Sequence, residues 1–200
     1  MTPSAARLTS LAGARSLRGV TPDLQHSPLE AAHQALGARL VPFAGWVMPV
    51  QYTSIMDEHA AVRSACGIFD ISHMGQFFVS GPAAVGWLNR LLTNDISKLS
   101  IGHGQYTLLL NERGGVIDDL IAYRSGDTEY FLVVNASKIA EDFSWLEARL
   151  EKGVELQDES AQWVGLAVQG PDALQVFDAV CPGESLPPRN GIKWTTCGSL

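Results

Sequence analysis

Asn111-Glu112-Arg113-Gly114-Gly115-Val116-Ile117-Asp118-Asp119-Leu120-Ile121-Ala122-Tyr123 is the stretch whose reading decides the fold. Gln105 to Asn111 ahead of it and Val116 to Arg124 at its end are rich in β-branched, aromatic and leucine residues. The loop between them holds two glycines, which reach positive φ without steric cost. Two strands and a tight connection make a β-hairpin. Within the second strand a period of two places Ile117, Asp119, Ile121 and Tyr123 on one face and Asp118, Leu120 and Ala122 on the other.

Working outward, Tyr130 to Asn135 predicts a further strand. It is followed by a helix from Ser137 to Lys152 whose inner face holds Ile139, Phe143, Leu146 and Leu150 at helical spacing. Val154 to Leu156 and Trp163 to Val168 read as strands, and Pro171 opens a helix carrying Leu174, Phe177 and Val180. On the other side of the hairpin, Ile68 to Val79 reads as a strand. Gly81-Pro82 then starts a helix bearing Val85, Trp87, Leu88, Leu91 and Leu92. A helix from Ser54 to Ala65 and an extended segment from Arg39 to Phe43 precede it. Ser27-Pro28-Leu29-Glu30 has the pattern of a capping box, with Ser27 as N-cap of a helix ending at Gly37. Hairpins mixed with helices predict an α+β fold, an antiparallel or mixed sheet with packed helices.

With 200 residues and 46% hydrophobic content the chain can bury a substantial core. A formal charge of -7 speaks against a nucleic-acid partner, whose phosphates call for clustered Lys and Arg. No run reaches the roughly 18 uninterrupted apolar residues of a membrane span. Cys66, Cys181 and Cys197 lie far apart, so neither a disulfide framework nor a zinc knuckle is expected, and the scattered histidines predict no metal site. Residues 1–26 read as an N-terminal extension. Arg7, Arg15 and Arg18 within the first 22 residues, with no acid, fit an organellar transit peptide, and the alternatives are a disordered bacterial extension or an overcalled start codon. The compartment follows from that choice: cytoplasm in a bacterium, or the mitochondrial matrix if the leader is a transit peptide. Ile192 to Thr196 reads as a last strand broken off before any stop signal, which predicts a cut chain.

Two adjacent aspartates inside a strand need compensation, because aspartate is depleted in strands and a buried carboxylate is costly. The residues alone leave two readings open. In one, an Asp binds backbone N–H groups of the glycine loop and its neighbour faces water; in the other, a carboxylate is held in a largely apolar pocket and tuned for work on an amine. His73 reads as a hydrogen-bonded structural histidine. Gly-rich phosphate loops are lacking.

Seven segments fall in one order: Gly45 to Tyr52, Glu58 to Arg63, Phe69-Asp70-Ile71-Ser72-His73-Met74-Gly75, Asn94-Asp95, Asn111 to Leu120, Val133 to Ala136 and Gln169-Gly170-Pro171. In order and spacing they resemble the aminomethyltransferase family, the T-proteins of the glycine cleavage system, from about Ser27 to Trp194. The resemblance implies a folate-binding domain of the T-protein type. It also implies transfer of the one-carbon unit from the aminomethyl-dihydrolipoyl arm of the lipoylated H-protein to tetrahydrofolate, the acceptor substrate, with release of ammonia. By matching motifs, Asp119 is the carboxylate beside the reacting folate nitrogens, and Tyr106, Tyr123, Met74 and Asn135 are folate-binding. Asp118 is expected to support the hairpin loop.

The family continues with a G-Y-T-G-E segment and a distal domain that are absent after Leu200. Residues 27–200 are therefore expected to be a partial, truncated folate-binding domain, inactive alone. Two relatives of the same fold remain as alternatives. One is an iron–sulfur cluster assembly factor; the other is the folate module of a demethylating dehydrogenase, which the lack of a Rossmann fingerprint disfavours.

Overall fold

A computed structural model describes residues 24–196, so the transit-peptide reading and nearly all of the 1–26 extension fall outside the described residues. The chain runs β1 (Gln25–His26), α1 (Glu30–Ala35), β2 (Arg39–Phe43), β3 (Trp46–Gln51), α2 (Ile55–Ser64), β4 (Gly67–Asp70), β5 (Gly75–Ser80) and α3 (Ala84–Leu91). It continues with β6 (His103–Leu110), β7 (Val116–Arg124), β8 (Glu129–Val134), α4 (Ile139–Glu147), β9 (Glu155–Asp158), β10 (Leu166–Gln169) and α5 (Ala173–Val180). The α+β class is as the sequence predicts. A five-stranded sheet in the order β6-β7-β8-β5-β9 forms the centre, and every pairing in it is antiparallel. Beside it lie the small sheets β1-β3-β2 and β10-β4.

The central sheet has two unlike faces. Phe77 and Val79 of β5, Leu120 and Ala122 of β7, and Tyr130, Leu132 and Val134 of β8 point inward, where Trp87 and Leu88 of α3 and Leu146 of α4 cover them. These side chains are almost wholly removed from water, and hydrophobic burial here is the main force holding the helices down. The indole N–H of Trp87 donates to the Arg149 carbonyl at 2.6 Å, which satisfies the polar atom of the largest core residue. The opposite sheet face carries Tyr106, Asp119, Ile121, Tyr123, Phe131, Val133 and Phe78. It has an aromatic row, Tyr123–Phe131–Phe78–Trp163–Trp194, with neighbouring ring centroids 4.9–6.3 Å apart.

Five local expectations change. Ser27 is not an N-cap: Leu29 takes that position without a side-chain cap, while the Ser27 hydroxyl accepts from Leu29 N–H and donates to Asp70. Ile68 to Val79 divides into β4 and β5 around a turn at Ser72-His73. The register shifts between Leu109 and Leu110, a bulge that turns Ile117 into the core rather than onto the face of Asp119. No strand covers Ile192 to Thr196; the chain makes an isolated bridge from Gly191 to His103 instead. Cys181 is disulfide-bonded and Cys66 is free, which corrects the expectation of no disulfide.

Candidate active site

β7 offers Asp118 and Asp119 to opposite sides of the sheet, as its period of two requires. Asp118 is 5% exposed and faces the helices, whereas Asp119 lies on the open face. On that face the Tyr106 hydroxyl of β6 donates to Asp119 Oδ2 at 2.7 Å, and the Asn135 Nδ2 at the end of β8 donates to Asp119 Oδ1 at 3.2 Å. One carboxylate is thus gripped from two strands while remaining open to solvent. The bond to Asp119 raises the Tyr106 phenol above its ordinary range, with burial and the two aspartate charges adding to it. Tyr106 therefore stays a proton donor.

Tyr123 lies four residues beyond Asp119 on the same strand face, and its ring covers Gly104 of β6. A Cβ at Gly104 would stand 2.3 Å from Tyr123 Cδ1, so only glycine admits the ring in this place. Burial raises the Tyr123 phenol as well. Met74 occupies the turn just before Gly75, which pairs with Val134, so Met74 and Asn135 flank one end of the β5–β8 ladder. The structure joins Asp119, Tyr106 and Asn135 by hydrogen bonds and puts Tyr123 on their face. It gives Met74 a place beside Asn135 but no hydrogen bond or ring contact to Asp119.

Asp118 does not support the hairpin loop. That loop is held by its own Asn111, whose Oδ1 accepts from Arg113 and Gly115 N–H at 2.9 and 3.0 Å. Asp118 instead accepts from Asn135, the backbone N–H at 3.1 Å and the Nδ2 at 2.9 Å. The Asn135 amide, which also donates to the Asp119 carbonyl at 3.0 Å, links the two aspartates through the sheet. Behind Asp118 lies Asp142 of α4, fully buried, which the sequence reading missed. Its signal was an acid three residues after Ile139 and four before Leu146, inside the apolar stripe of the helix.

A second polar cluster ties the N-terminal segment to β4. The side chain of Asp70, wholly enclosed, accepts from the Ser27 hydroxyl, from His33 Nε2 at 2.8 Å and from Ser72 N–H at 2.8 Å. Burial opposes its ionisation, yet the bonds from His33, Ser27 and Ser72 outweigh burial and hold its carboxyl below the ordinary range. Tyr52 OH meets His33 Nδ1 at 2.8 Å. The serine faces the carboxylate rather than the imidazole, so no activated nucleophile results, and the cluster is a clamp. His73 packs its ring edge on Phe43 with centroids 5.6 Å apart, and burial lowers its affinity for a proton. Among the described residues no helix is long and apolar enough to cross a membrane, and no three His, Cys, Asp or Glu side chains gather as metal ligands.

Comparison with known proteins gives the family. The model of the GCVT N-terminal domain matches residues 29–199. An aminomethyltransferase of Thermus thermophilus is 50% identical over 159 residues, which cover 78% of this chain and 45% of that protein. One from Geobacillus kaustophilus is 47% identical over 154 residues, covering 77% and 42%. The crystal structure of glycine cleavage system aminomethyltransferase T from Bartonella henselae superposes with a TM-score of 0.77 at 41% identity, over 82% of this chain and 45% of that one. The chain spans less than half the length of the curated relatives it matches.

Proposed function

The chain belongs to the family of the GCVT N-terminal domain, and on that premise we propose that it is the front part of an aminomethyltransferase of glycine cleavage. The donor is the aminomethyl group on the dihydrolipoyl arm of the lipoylated H-protein, and the acceptor is tetrahydrofolate. The observation that carries this reading is the Asp119 carboxylate, solvent-accessible yet fixed by Tyr106 and Asn135 on the open sheet face.

When a folate amine bonds to the aminomethyl carbon, the nitrogen becomes cationic and must release a proton. Ammonia leaves the carbon as that first bond forms, and the carrier thiol leaves with a proton when the C–S bond breaks and the carbon closes onto the second folate nitrogen. A carboxylate fixed on both oxygens orients the amine, stabilises the positive charge and accepts the proton. The donors on Asp119 are a phenol and an amide, which hold it in place without neutralising it. Ile121, Val133 and the ring of Tyr123 supply an apolar floor on which a flat heterocycle can lie, and which keeps water from the reacting carbon. Tyr106, Tyr123, Asn135 and Met74 are the residues we assign to folate contact, and activity is assigned to the whole protein, of which residues 27–200 form the partial folate domain.

Asp119→Asn keeps the shape and removes the charge and the proton acceptor. In the intact protein, transfer from aminomethylated H-protein to tetrahydrofolate should fall by about 10² to 10⁴ with folding preserved. Transfer within about threefold of the parent, far less than loss of an acid–base group produces, would overturn the assignment.

A further inference from the structure

α4 turns an acid toward the sheet. Asp142 has 0% of its surface exposed, and among the described residues no N–H or O–H donates to either of its carboxyl oxygens. An anion so placed would be desolvated with nothing in exchange. The polar group it meets is the Asp118 carboxyl on the inward face of β7; Glu141 adds negative charge nearby, and Lys138 opposes it with positive charge. Two carboxyls in contact keep a proton between them, and here the sharing is one-sided. Asp118 already accepts two hydrogen bonds from Asn135, at 3.1 and 2.9 Å, which stabilise its anion. Asp142 receives none and keeps the proton. Burial, together with the hydrogen bond and charge of Asp118, pushes the Asp142 carboxyl up to about 8.

We infer that Asp142 is a positioning residue of the Asp119 site, a buried carboxylic acid that donates to Asp118 and thereby fixes the Asn135 amide that aims Asp119. The inference rests on Asp119 being the reacting carboxylate. Its physical path runs from the helix layer through the sheet to the open face, Asp142 to Asp118 to Asn135 to Asp119. The last two links are hydrogen bonds of 2.9 Å to Asp118 Oδ1 and 3.2 Å to Asp119 Oδ1, both made by one amide nitrogen. An NH₂ group has two hydrogens in one plane: one serves Asp118 and the other is shared between the Asp119 carbonyl at 3.0 Å and Asp119 Oδ1 at 3.2 Å, so the rotation that serves Asp118 also sets what reaches Asp119. Removing the Asp142 proton would place a second anion against Asp118, separate the two carboxyls and free the amide to turn.

The test is nuclear magnetic resonance of the intact protein carrying ¹³C at aspartate carboxyls and ¹⁵N at asparagine amides, titrated from mildly acidic to alkaline pH without folate. The Asp142 carboxyl should remain protonated at neutrality and titrate at about 8, and the Asn135 side-chain amide should shift in the same step. Asp142→Asn, which still donates to Asp118 but cannot ionise, should hold the Asn135 amide at its neutral-pH position and abolish the step. Asp142→Leu, which fills space and donates nothing, should displace that amide at every pH. An Asp142 carboxyl already ionised at neutrality would overturn the inference, as would an Asn135 amide unmoved while Asp142 titrates. Should Asp142→Leu fail to fold, the parent titration and Asp142→Asn decide alone. Because no folate is used, an intact titration step beside undiminished transfer by Asp119→Asn would refute the proposed function and not this link.

Discussion

Asp142→Asn should make the protein more stable at neutral and alkaline pH, and the size of the gain follows from the buried acid. In the unfolded chain the carboxyl titrates at its ordinary 3.8, while in the folded protein it does so at about 8. Below the lower value both states hold the proton and the group has no effect on stability. Between the two values only the folded state holds it, so stability falls as pH rises, by about 1.4 kcal/mol for each pH step. Above about 8 both states have released it and the slope ends. The full loss is bounded by roughly 6 kcal/mol, of which about 4 is present at pH 7. Asparagine removes this term but remains a buried polar group, so a net gain of about 1–3 kcal/mol at neutrality is expected. Urea unfolding of both proteins at mildly acidic, neutral and alkaline pH measures it. In acid, where the titration term vanishes, the variant should be the less stable by about 1–3 kcal/mol, and it should overtake the parent as pH rises. Parallel pH profiles would refute the protonated, buried state of Asp142.

Three further outcomes are expected. Tyr106→Phe removes one donor from Asp119 on an exposed surface, so stability should change by less than about 0.5 kcal/mol while transfer drops about five- to tenfold, the value of one lost hydrogen bond. Asp70→Asn should destabilise the protein by about 1–3 kcal/mol, because Ser27, His33 and Ser72 lose a charged acceptor. Asp70 stabilises only while ionised, above its unfolded value, and that share is lost as pH falls through its lowered folded value. The variant should therefore unfold with a flatter acid limb in a pH-dependent melting series. Gly104→Ala forces the Tyr123 ring off its seat, since the added Cβ would lie 2.3 Å from it. A loss of about 1–3 kcal/mol is expected, with weaker folate binding by calorimetry.

The central hairpin was legible because its determinants are local: alternation along Gln105–Asn111 and Val116–Arg124, and glycines in the loop between. That alternation also separated Asp118 from Asp119 correctly. It failed at Ile117, since a bulge opposite Leu109 and Leu110 adds a residue to one strand only, and nothing in the residue types marks the extra one. Ser27 looked like a helix cap because its neighbours at Pro28 and Glu30 fit a capping box. Its hydroxyl is taken by Asp70, a partner 43 residues away that no local pattern reveals. The role of Asp118 was misread for the same reason, its donors being on Asn135 at the end of another strand. Tyr106 and Asn135 reached the candidate site through family resemblance rather than periodicity, because three strands must pair in register before they meet.

The two-stranded sheet of β4 and β10 has a consequence for biosynthesis. Asp70 pairs with Leu166 and Gly67 with Gln169, so β4 leaves the ribosome roughly a hundred residues before its partner exists, a delay of about 5–20 s at ordinary elongation rates. During that interval Ile68 and Phe69, still 59% and 45% exposed even after pairing, sit on a strand with unsatisfied edges. The Asp70 clamp to Ser27 and His33 can close earlier, since both lie upstream. The nascent chain can therefore anchor β4 at its C-terminal end to the N-terminal segment first. Clamp variants such as Asp70→Asn should then show their largest effect in the yield of freshly made protein, beyond what their equilibrium stability predicts.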